Sequence, residues 1–431
     1  MKKLACLALA GSLALGATLV AGCSSGSSSD TATKTTTLVK SSPDLPDFYA
    51  VPTPLPLGQP GELIKSEKVE IAGLNGTMWR VMYHSQAIDG TDIAVTGLVA
   101  SPEGGPTFVP ATADGATPAP VPVNHPVVTW AHGTTGIADS CAPSLEPGGS
   151  EIVMLANALL DQGFVVTASD FEGLATPGRH PYIAGESEGR GTLDIVKTAV
   201  AMPEVKAQSD YIIWGHSQGG HAAMFAGHIA DTWAPELSLK GVVAGAPPSQ
   251  LLLINAALQT SPYKYYIAMA AAGLNAAFGD EKAPLDKVLT PEGLTWLENV
   301  DKGCTDLLSR ESKGVDFSTL QKADPATVPE WNALLSANDP GTFTAPIAAP
   351  LLIIHGGNDE QIPVVASQMM FTSLCTIGQV ETRWVLPGQS HAGVIAPSAP
   401  SMITWMHDRF NGDPMPDAVA PEGAQVQNCP N

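Results

Sequence analysis

Short apolar runs alternate with longer, helically spaced stretches along most of the chain. Short runs of strand length cover residues 125–131, 163–168, 211–214, 239–244 and 351–354. Between them lie stretches with helical spacing, at residues 151–160, 193–202, 221–228 and 364–374. Continuous apolar strands separated by helices predict an α/β fold with a mostly parallel, doubly wound sheet covered on both faces. Ligands of such folds bind at the carboxyl ends of the strands, so we expect the chemistry there.

An antiparallel meander is predicted before this pattern begins. Alternating apolar and polar residues at 67–71, 78–83 and 93–100 have strand character. Short polar turns such as Asp89-Gly90 join them.

A nucleophilic serine is predicted directly after the strand at 211–214. Residues 215–219 read Gly-His-Ser-Gln-Gly, the G-x-S-x-G pattern of a nucleophile elbow. The glycines leave room where the sharp turn brings neighbouring atoms close to the backbone. A strand precedes the motif and a helix follows it, which is the context that the elbow requires. We therefore predict that Ser217 is held at a helix N-terminus and presented to substrate.

An acid and a base follow Ser217 in the order that this arrangement requires. Asp359 lies in a turn after the strand at 351–354, and His391 comes later, just before an amphipathic helix. We predict that His391 accepts the Ser217 proton, while Asp359 fixes the tautomer of His391 and stabilises its imidazolium form. Glu360 is the alternative acid, in which case Asp359 is a turn-forming residue.

The oxyanion of an acyl-transfer reaction needs hydrogen-bond donors. The backbone N–H of Gln218, the residue after the nucleophile, is predicted to be one of them. The second is expected from the loop at 132–136, His-Gly-Thr-Thr-Gly, which follows the strand at 125–131. Within this loop we favour Thr134 and keep Thr135 as the alternative.

The distance in sequence between Ser217 and Asp359 is larger than one further strand and helix require. From about residue 249 to residue 345 the pattern is mostly helical, with an apolar piece at 263–278. We predict a helical cap insertion over the active site. An apolar underside of such a cap would suit an acyl chain, since each buried CH₂ contributes roughly 0.8 kcal/mol.

Composition and charge exclude several classes of function. Of the 431 residues 44% are apolar, which is enough for a sizeable core and excludes disorder of the whole chain. Only 15% are charged, and the net charge is −21. A field of this sign repels phosphate backbones, so we expect no nucleic-acid partner.

Cysteine usage indicates an oxidising compartment. Besides Cys6 and Cys23 near the N-terminus, four cysteines remain, an even number that predicts two disulfides in any of three pairings: Cys141, Cys304, Cys375 and Cys429. No Cys/His cluster has the spacing of zinc ligands. The sequence therefore predicts neither a metal nor a cofactor.

Several motifs together resemble the secretory lipase family of α/β-hydrolases, the lipase A type. They are Trp-Ala-His-Gly-Thr-Thr-Gly at 130–136, Cys-Ala-Pro-Ser at 141–144, Ser-Asp-Phe-Glu-Gly at 169–173, His-Pro-Tyr at 180–182, Gly-Arg at 189–190, and the elbow at 215–219. The similarity covers most of the mature chain, from about Asp47 to Cys429.

The resemblance implies an α/β-hydrolase fold with Ser217, Asp359 and His391 as the triad, which agrees with the prediction from the residues themselves. Fungal members carry an acidic side chain in the oxyanion loop, where this chain has Thr134 and Thr135. The stretch at 170–173 is expected to brace the site rather than to react. The implied disulfides are Cys141–Cys304 and Cys375–Cys429.

The N-terminus predicts an exported bacterial lipoprotein. A short positive segment is followed by an apolar stretch, and Val-Ala-Gly-Cys at 20–23 resembles a bacterial lipobox, in which the cysteine is lipidated. Cys23 would then anchor the protein to a membrane on its extracytoplasmic side. The predicted organisation is a signal peptide at 1–22, a Ser/Thr/Gly-rich tether at 23–42, and the α/β-hydrolase domain at 43–431 with its cap insertion at about 249–345.

These observations favour a serine carboxylic ester hydrolase, a lipase or esterase, that cleaves apolar or lipid esters through an acyl-enzyme on Ser217. Acyl transfer or amide cleavage by the same triad is an alternative, because water, alcohols and amines attack the same acyl-enzyme. A non-catalytic surface lipoprotein that binds lipid on a hydrolase scaffold is a second alternative. The complete triad order argues against that second alternative.

Overall fold

Strands and helices alternate through most of the chain, of which the computed structural model describes residues 36–104, 124–415 and 419–429. The strands are β1 (Thr37–Val39), β2 (Val51–Thr53), β3 (Leu63–Val69), β4 (Gly76–Gln86), β5 (Asp92–Pro102), β6 (His125–Ala131), β7 (Val165–Ser169), β8 (Ala207–His216), β9 (Ser238–Gly245), β10 (Leu351–Gly356), β11 (Glu381–Leu386) and β12 (Gln425–Asn428). The α-helices are α1 (Ser150–Leu160), α2 (Gly185–Ala201), α3 (Gln218–Trp233), α4 (Leu251–Leu258), α5 (Tyr265–Lys282), α6 (Leu285–Val288), α7 (Pro291–Leu297), α8 (Thr305–Glu311), α9 (Phe317–Leu320), α10 (Pro329–Ala337), α11 (Val364–Thr376) and α12 (Ile395–Asn411).

Ten of these strands form one sheet, in the order β12-β11-β10-β9-β8-β6-β7-β5-β4-β3. The strands from β11 across to β7 run parallel, whereas β5, β4 and β3 form an antiparallel meander at one edge and β12 pairs antiparallel at the other. The predicted α/β-hydrolase fold with a mostly parallel sheet is thus confirmed. Parallel strands end at one edge, so the segments after β6, β8, β10 and β11 meet there.

Helices cover both faces of the sheet, as the apolar strands predict. On one face α2, α3 and α11 supply Val196, Met224 and Met370 to a core cluster with the sheet. On the other face α1 and α12 supply Leu159 and Trp405. All five side chains are almost completely buried. A sheet with two apolar faces needs both layers of helices to remove its surface from water.

Two polar segments, the start of α2 and strand β11, form buried secondary structure that their sequence pattern does not predict. Helix α2 begins at Gly185, eight residues before the predicted start, because its polar first turns are buried and hydrogen-bonded rather than exposed. Strand β11 was not predicted, since it begins with Glu381, Thr382 and Arg383, yet all six of its residues are buried. The Arg383 guanidinium is accommodated there by Ser367, Gln368 and Gln427 and the carbonyl of Val364.

The predicted tether at 23–42 ends earlier than expected. Residues Thr37–Val39 form β1, which pairs antiparallel with β2 in a separate two-stranded sheet. The Lys40 ammonium also donates to the carbonyl of Leu45 at 2.8 Å. These bonds place residues 37–40 in folded structure. The predicted signal peptide, Cys23 and the rest of the tether lie outside the described residues.

Between β9 and β10 the chain forms the helices α4 to α10, as the helical pattern at 249–345 predicts. Their apolar faces form a second core cluster, in which Met269 and Trp331 are buried. This cluster also includes Tyr182, Ile183 and Ile362, which lie outside the helical segment. The helical segment therefore packs onto the loops at the carboxyl edge of the sheet. No helix in the described ranges is long and apolar enough to span a bilayer.

Candidate active site

Ser217 stands on a strained turn between β8 and α3. Its backbone has φ 59° and ψ −124°, a conformation that side-chain-bearing residues rarely adopt. A hydrogen bond of 2.8 Å from its N–H to the carbonyl of Gly245 holds the turn. A Cβ at Gly219 would lie 1.8 Å from the carbonyl oxygen of Ala131, and one at Gly215 would lie 2.0 Å from that of Gly219. The glycines of the motif are therefore required by close approach of backbone.

Asp359 and His391 form a hydrogen-bonded pair after two neighbouring parallel strands. Asp359 follows β10, His391 follows β11, and Asp359 Oδ2 lies 2.7 Å from His391 Nδ1. Glu360, the alternative acid, instead accepts the backbone N–H of His391 through Oε2 at 3.1 Å. In this structure the imidazole is thus oriented by Asp359, while Glu360 holds the backbone of the same residue.

The His391 ring lies against the nucleophile elbow. Its centroid is 4.7 Å from that of His216, the residue that precedes Ser217. Of these residues, His391 is 4% exposed and Ser217 is 8% exposed. The three residues predicted as a triad therefore lie at the carboxyl ends of β8, β10 and β11.

Electrostatics keep the acid ionised and the neighbouring histidine neutral. Burial by itself would raise the pKa of Asp359, but hydrogen bonds from His355 and His391 lower that pKa well below its ordinary value. Burial, reinforced by the adjacent His391, lowers the pKa of His216 to about 3. At neutral pH Asp359 is therefore a carboxylate that can stabilise an imidazolium, and His216 adds no competing charge.

The loop predicted to complete the oxyanion hole lies beside Ser217. A Cβ built on Gly133 would be 3.8 Å from the Cβ of Ser217. The hydroxyl of Thr134 is 3.0 Å from that of Tyr182, and the buried hydroxyl of Thr135 has no hydrogen-bond partner among the described residues. Gln218 opens α3, where the first N–H groups of a helix have no intrahelical acceptor. Both predicted donor segments are therefore adjacent to the nucleophile.

A buried polar network supports Gln218 from beneath. Its side-chain amide donates to His180 Nε2 at 2.8 Å and to Glu188 Oε1 at 2.9 Å. The second oxygen of Glu188 lies 2.8 Å from His221 Nδ1, and His221 Nε2 lies 2.7 Å from the carbonyl oxygen of Asn338. Both of these bonds need a proton, so Glu188 and His221 hold two protons between them. The network joins the elbow helix to the end of the helical segment.

Glu188 is a supporting residue that the sequence reasoning missed. It is completely buried on α2, before the predicted helical stretch that begins at position 193. The available signal was glycine spacing: a Cβ at Gly189 would lie 2.9 Å from the backbone nitrogen of Ala226, and one at Gly185 would overlap the ring of Phe225. Glycines one helical turn apart indicate a face in close contact with a neighbouring helix.

The predicted brace at 170–173 is buried and hydrogen-bonded. Asp170 Oδ2 accepts from the hydroxyl of Thr96 at 2.7 Å, and Oδ1 accepts from the backbone N–H of Ser144 at 2.9 Å. The carboxylate of Glu172 accepts from the hydroxyl of Ser187. These bonds hold the loop after β7 in place and leave Asp170 and Glu172 outside the reacting groups.

An apolar cavity lies within the helical segment and reaches residues next to the site. It has a volume of about 120 Å³. Tyr182, which contacts Thr134, and Ile362, whose N–H donates to Asp359, belong to its wall. Most of the remaining wall is aliphatic or aromatic and includes Leu251, Leu258, Ala271, Leu274, Leu297 and Trp331. The wall of the cavity is therefore mostly apolar, and two of its residues contact Thr134 and Asp359.

Both disulfides implied by the family resemblance are present. Cys141–Cys304 joins the loop after β6 to the helical segment, and beside it the N–H of Thr305 donates to the carbonyl of Thr135 at 2.9 Å. Cys375–Cys429 joins α11 to the end of the chain next to β12. The first bridge thus fixes the helical segment to the predicted oxyanion loop.

The chain matches known proteins in sequence. A sequence model of the secretory lipase family matches residues 149–418. The chain is 28% identical over 309 residues to the secreted triacylglycerol lipase LIP4 of Malassezia globosa, an alignment that covers 67% of this chain and 66% of that protein. It is 26% identical over 394 residues to LIP3 of the same organism, covering 85% and 82%. The match to LIP4 thus spans just under two thirds of that relative.

Solved structures resemble this one in fold. Candida antarctica lipase A matches with a TM-score of 0.69 at 20% identity, covering 84% of each chain. The rice cell wall degrading esterase LipA from Xanthomonas oryzae matches with a TM-score of 0.64 at 15% identity, covering 82% of this chain and 97% of the other. At these identities the likeness concerns the fold.

Proposed function

Because this chain belongs to the secretory lipase family of α/β-hydrolases, we propose that it hydrolyses carboxylic esters with apolar acyl chains through an acyl-enzyme on Ser217. The observation that carries the proposal is the Asp359–His391 hydrogen bond of 2.7 Å beside the strained elbow of Ser217. An ionised acid, an oriented imidazole and a serine at a helix N-terminus are the parts that acyl transfer to serine requires.

In the proposed reaction His391 acts through its two ring nitrogens. Nε2 takes the proton of Ser217 as the hydroxyl oxygen attacks the ester carbonyl, and Nδ1–H remains bonded to Asp359, which stabilises the imidazolium. His391 then gives the proton to the leaving alcohol, and the acyl group stays on Ser217. A water, deprotonated by the same imidazole, releases the acid. The backbone N–H of Gln218 and a donor from Thr134 would stabilise the oxyanion in each half.

The substrate class follows from the apolar cavity and from the relatives. LIP4 and LIP3 are named triacylglycerol lipases, and we transfer a lipid-ester substrate from them to this chain. The cavity beside the site supports the transfer, because each CH₂ removed from water contributes roughly 0.8 kcal/mol. We accordingly assign the helical segment the role of a cap that binds the acyl chain.

Substitution of Ser217 tests the proposed chemistry. We expect Ser217→Ala to lose at least about 10³-fold of its activity on p-nitrophenyl esters, because no nucleophile remains to form the acyl-enzyme. A fluorescent phosphonate should label the parent protein and not the variant. Circular dichroism and the melting temperature serve as folding controls. A folded variant with near-normal turnover would remove Ser217 from the reaction.

We further propose that the protein is exported and anchored through Cys23. The names of LIP4 and LIP3 as secreted lipases support export. These relatives are fungal, so the bacterial lipobox and the anchor rest on residues 20–23 alone. Cys23→Ser should move the protein from the membrane fraction to the soluble fraction with unchanged specific activity. Equal membrane retention of both forms would contradict the anchor.

A further inference from the structure

A second imidazole contacts the carboxylate of Asp359. His355 lies near the end of β10, and its Nε2 is 3.2 Å from Asp359 Oδ2, the same oxygen that His391 Nδ1 contacts at 2.7 Å. The other oxygen, Oδ1, accepts the backbone N–H groups of Gln361 at 2.9 Å and Ile362 at 2.8 Å. The carboxylate is thus surrounded by four donors, of which two are histidines.

The hydrogen bonds of His355 define its protonation. Nε2 also lies 3.1 Å from the carbonyl oxygen of Ile362, so both of its neighbours are acceptors and Nε2 carries a proton. Nδ1 is buried and has no hydrogen-bond partner within the described part of the chain. A proton on Nδ1 would be desolvated without an acceptor, which is costly. His355 is therefore neutral, and it shares its single N–H between Asp359 and Ile362.

We propose that His355 is a positioning residue of the ester hydrolysis, which moderates the basicity of His391 by sharing Asp359 Oδ2 with it. This inference rests on the proposed function of the site. A donor on Oδ2 withdraws part of the negative charge that would otherwise stabilise the His391 imidazolium. It also fixes the rotation of the carboxylate, so that Oδ2 stays directed at Nδ1.

Other titratable groups also face His391. His216 from β8 lies 4.7 Å away between ring centroids and is held neutral by burial. Glu360 binds the His391 N–H, and its other oxygen is 3.4 Å from the hydroxyl of Tyr263, in the helical segment. The test therefore needs a variant at residue 355 that keeps a donor beside Asp359 Oδ2, so that the loss of the donor is distinguished from other effects of the substitution.

The test compares two substitutions of nearly equal size. His355→Met removes the donor, whereas His355→Gln can place an amide N–H close to the position of Nε2. Without the donor, Oδ2 is more negative and stabilises the imidazolium. The acidic limb of kcat/KM should therefore move to higher pH by about half a unit to one unit, a three- to tenfold change in protonation equilibrium. The Gln variant should retain a limb close to that of the parent enzyme.

A buried histidine at the opposite end of the sheet supplies the matched control. His125 begins β6, is 1% exposed, and its Nδ1 bonds the carbonyl of Gly163 at 2.8 Å. His125→Met should lower the melting temperature and leave the acidic limb of kcat/KM at the same pH. If His355 were only a packing residue, its Met variant would behave in the same way.

Nuclear magnetic resonance of ¹⁵N-labelled histidine in the parent protein provides a readout without substrate. We expect His355 to give the signals of a neutral Nε2–H tautomer across the pH range of the acidic limb. Either of two spectroscopic results would overturn the proposal: a charged His355 or a Nδ1–H tautomer. Two kinetic results would overturn it as well: an acidic limb that does not move to higher pH in an active His355→Met variant, or the same shift in His355→Gln. An inactive parent protein would instead contradict the proposed function, and the tautomer would still be measurable.

Discussion

Replacing Asp359 by asparagine separates the role of its charge from that of its shape. All four contacts of the carboxylate are donors: the imidazoles of His391 and His355 on Oδ2, and two backbone N–H groups on Oδ1. An asparagine must direct its NH₂ at one of these sides. The backbone N–H groups of Gln361 and Ile362 cannot change, whereas an imidazole can move its proton to the other nitrogen. We therefore expect the NH₂ to occupy the Oδ2 side and force His391 to present Nε2–H to Ser217.

In that tautomer His391 cannot accept the serine proton. The same change in a serine-protease triad costs about 10⁴-fold in turnover, equal to about 5.5 kcal/mol of transition-state stabilisation, and we expect a loss of that order. The assay is the steady-state hydrolysis of a p-nitrophenyl ester, with kcat and KM measured separately. The loss should appear in kcat, because the cavity proposed to bind the acyl chain is unchanged.

Glu360→Gln is the matched control for this change. Its carboxylate accepts the backbone N–H of His391 through Oε2 and the hydroxyl of Tyr263 through Oε1, and the amide oxygen of glutamine can also accept the first of these bonds. We expect less than about a threefold change in kcat. Near-normal turnover of Asp359→Asn, or a large loss confined to Glu360→Gln, would refute the assignment of Asp359 as the acid.

Two further predictions concern the helical segment. Ala271 lines the cavity, and Ala271→Phe should reduce kcat/KM for palmitate relative to butyrate esters by about 10²-fold, since blocking four methylenes removes roughly 3 kcal/mol. The control Ala276→Phe, at an exposed position of the same helix, should leave this ratio unchanged. Equal chain-length profiles of the two variants would place the acyl chain elsewhere. Cys304→Ser opens a loop of 163 residues, for which chain entropy sets an upper loss of about 5 kcal/mol. Cys304→Ser should lower the melting temperature and change the activity on bulky esters. Cys375→Ser should lower only the melting temperature. Altered kinetics in Cys375→Ser alone would contradict the coupling of the Cys141–Cys304 bridge to the site.

Much of the site could be predicted from local patterns. The elbow is a local structure: Gly215 and Gly219 are glycine because adjacent backbone leaves no room for a Cβ, and a strand and a helix flank Ser217 in sequence as they do in space. The positions of Asp359 and His391 follow from strand ends, since parallel strands deliver their following residues to one edge. The apolar runs likewise predict the sheet, because a strand buried on both faces has to be apolar throughout.

Other features depend on contacts between distant segments. The burial of Glu188 requires the amide of Gln218 and the ring of His221, which lie about one helix and one strand further along the chain. Strand β11 begins with polar residues that are stable inside only because α11 and β12 supply hydrogen-bond partners for Arg383. The pattern of neighbouring residues does not show such distant partners, so it predicts neither the buried start of α2 nor strand β11.

The sequence by itself determined the fold class, the elbow and the order of the triad. These features depend on residues that are close to one another along the chain. Only the tertiary structure decided which carboxylate of the pair Asp359 and Glu360 contacts the imidazole, and that His355 contacts the same oxygen. The physical reason is that a hydrogen bond depends on the positions of its atoms to within tenths of an ångström. Those positions are set by the packing of β10 and β11 against the whole sheet.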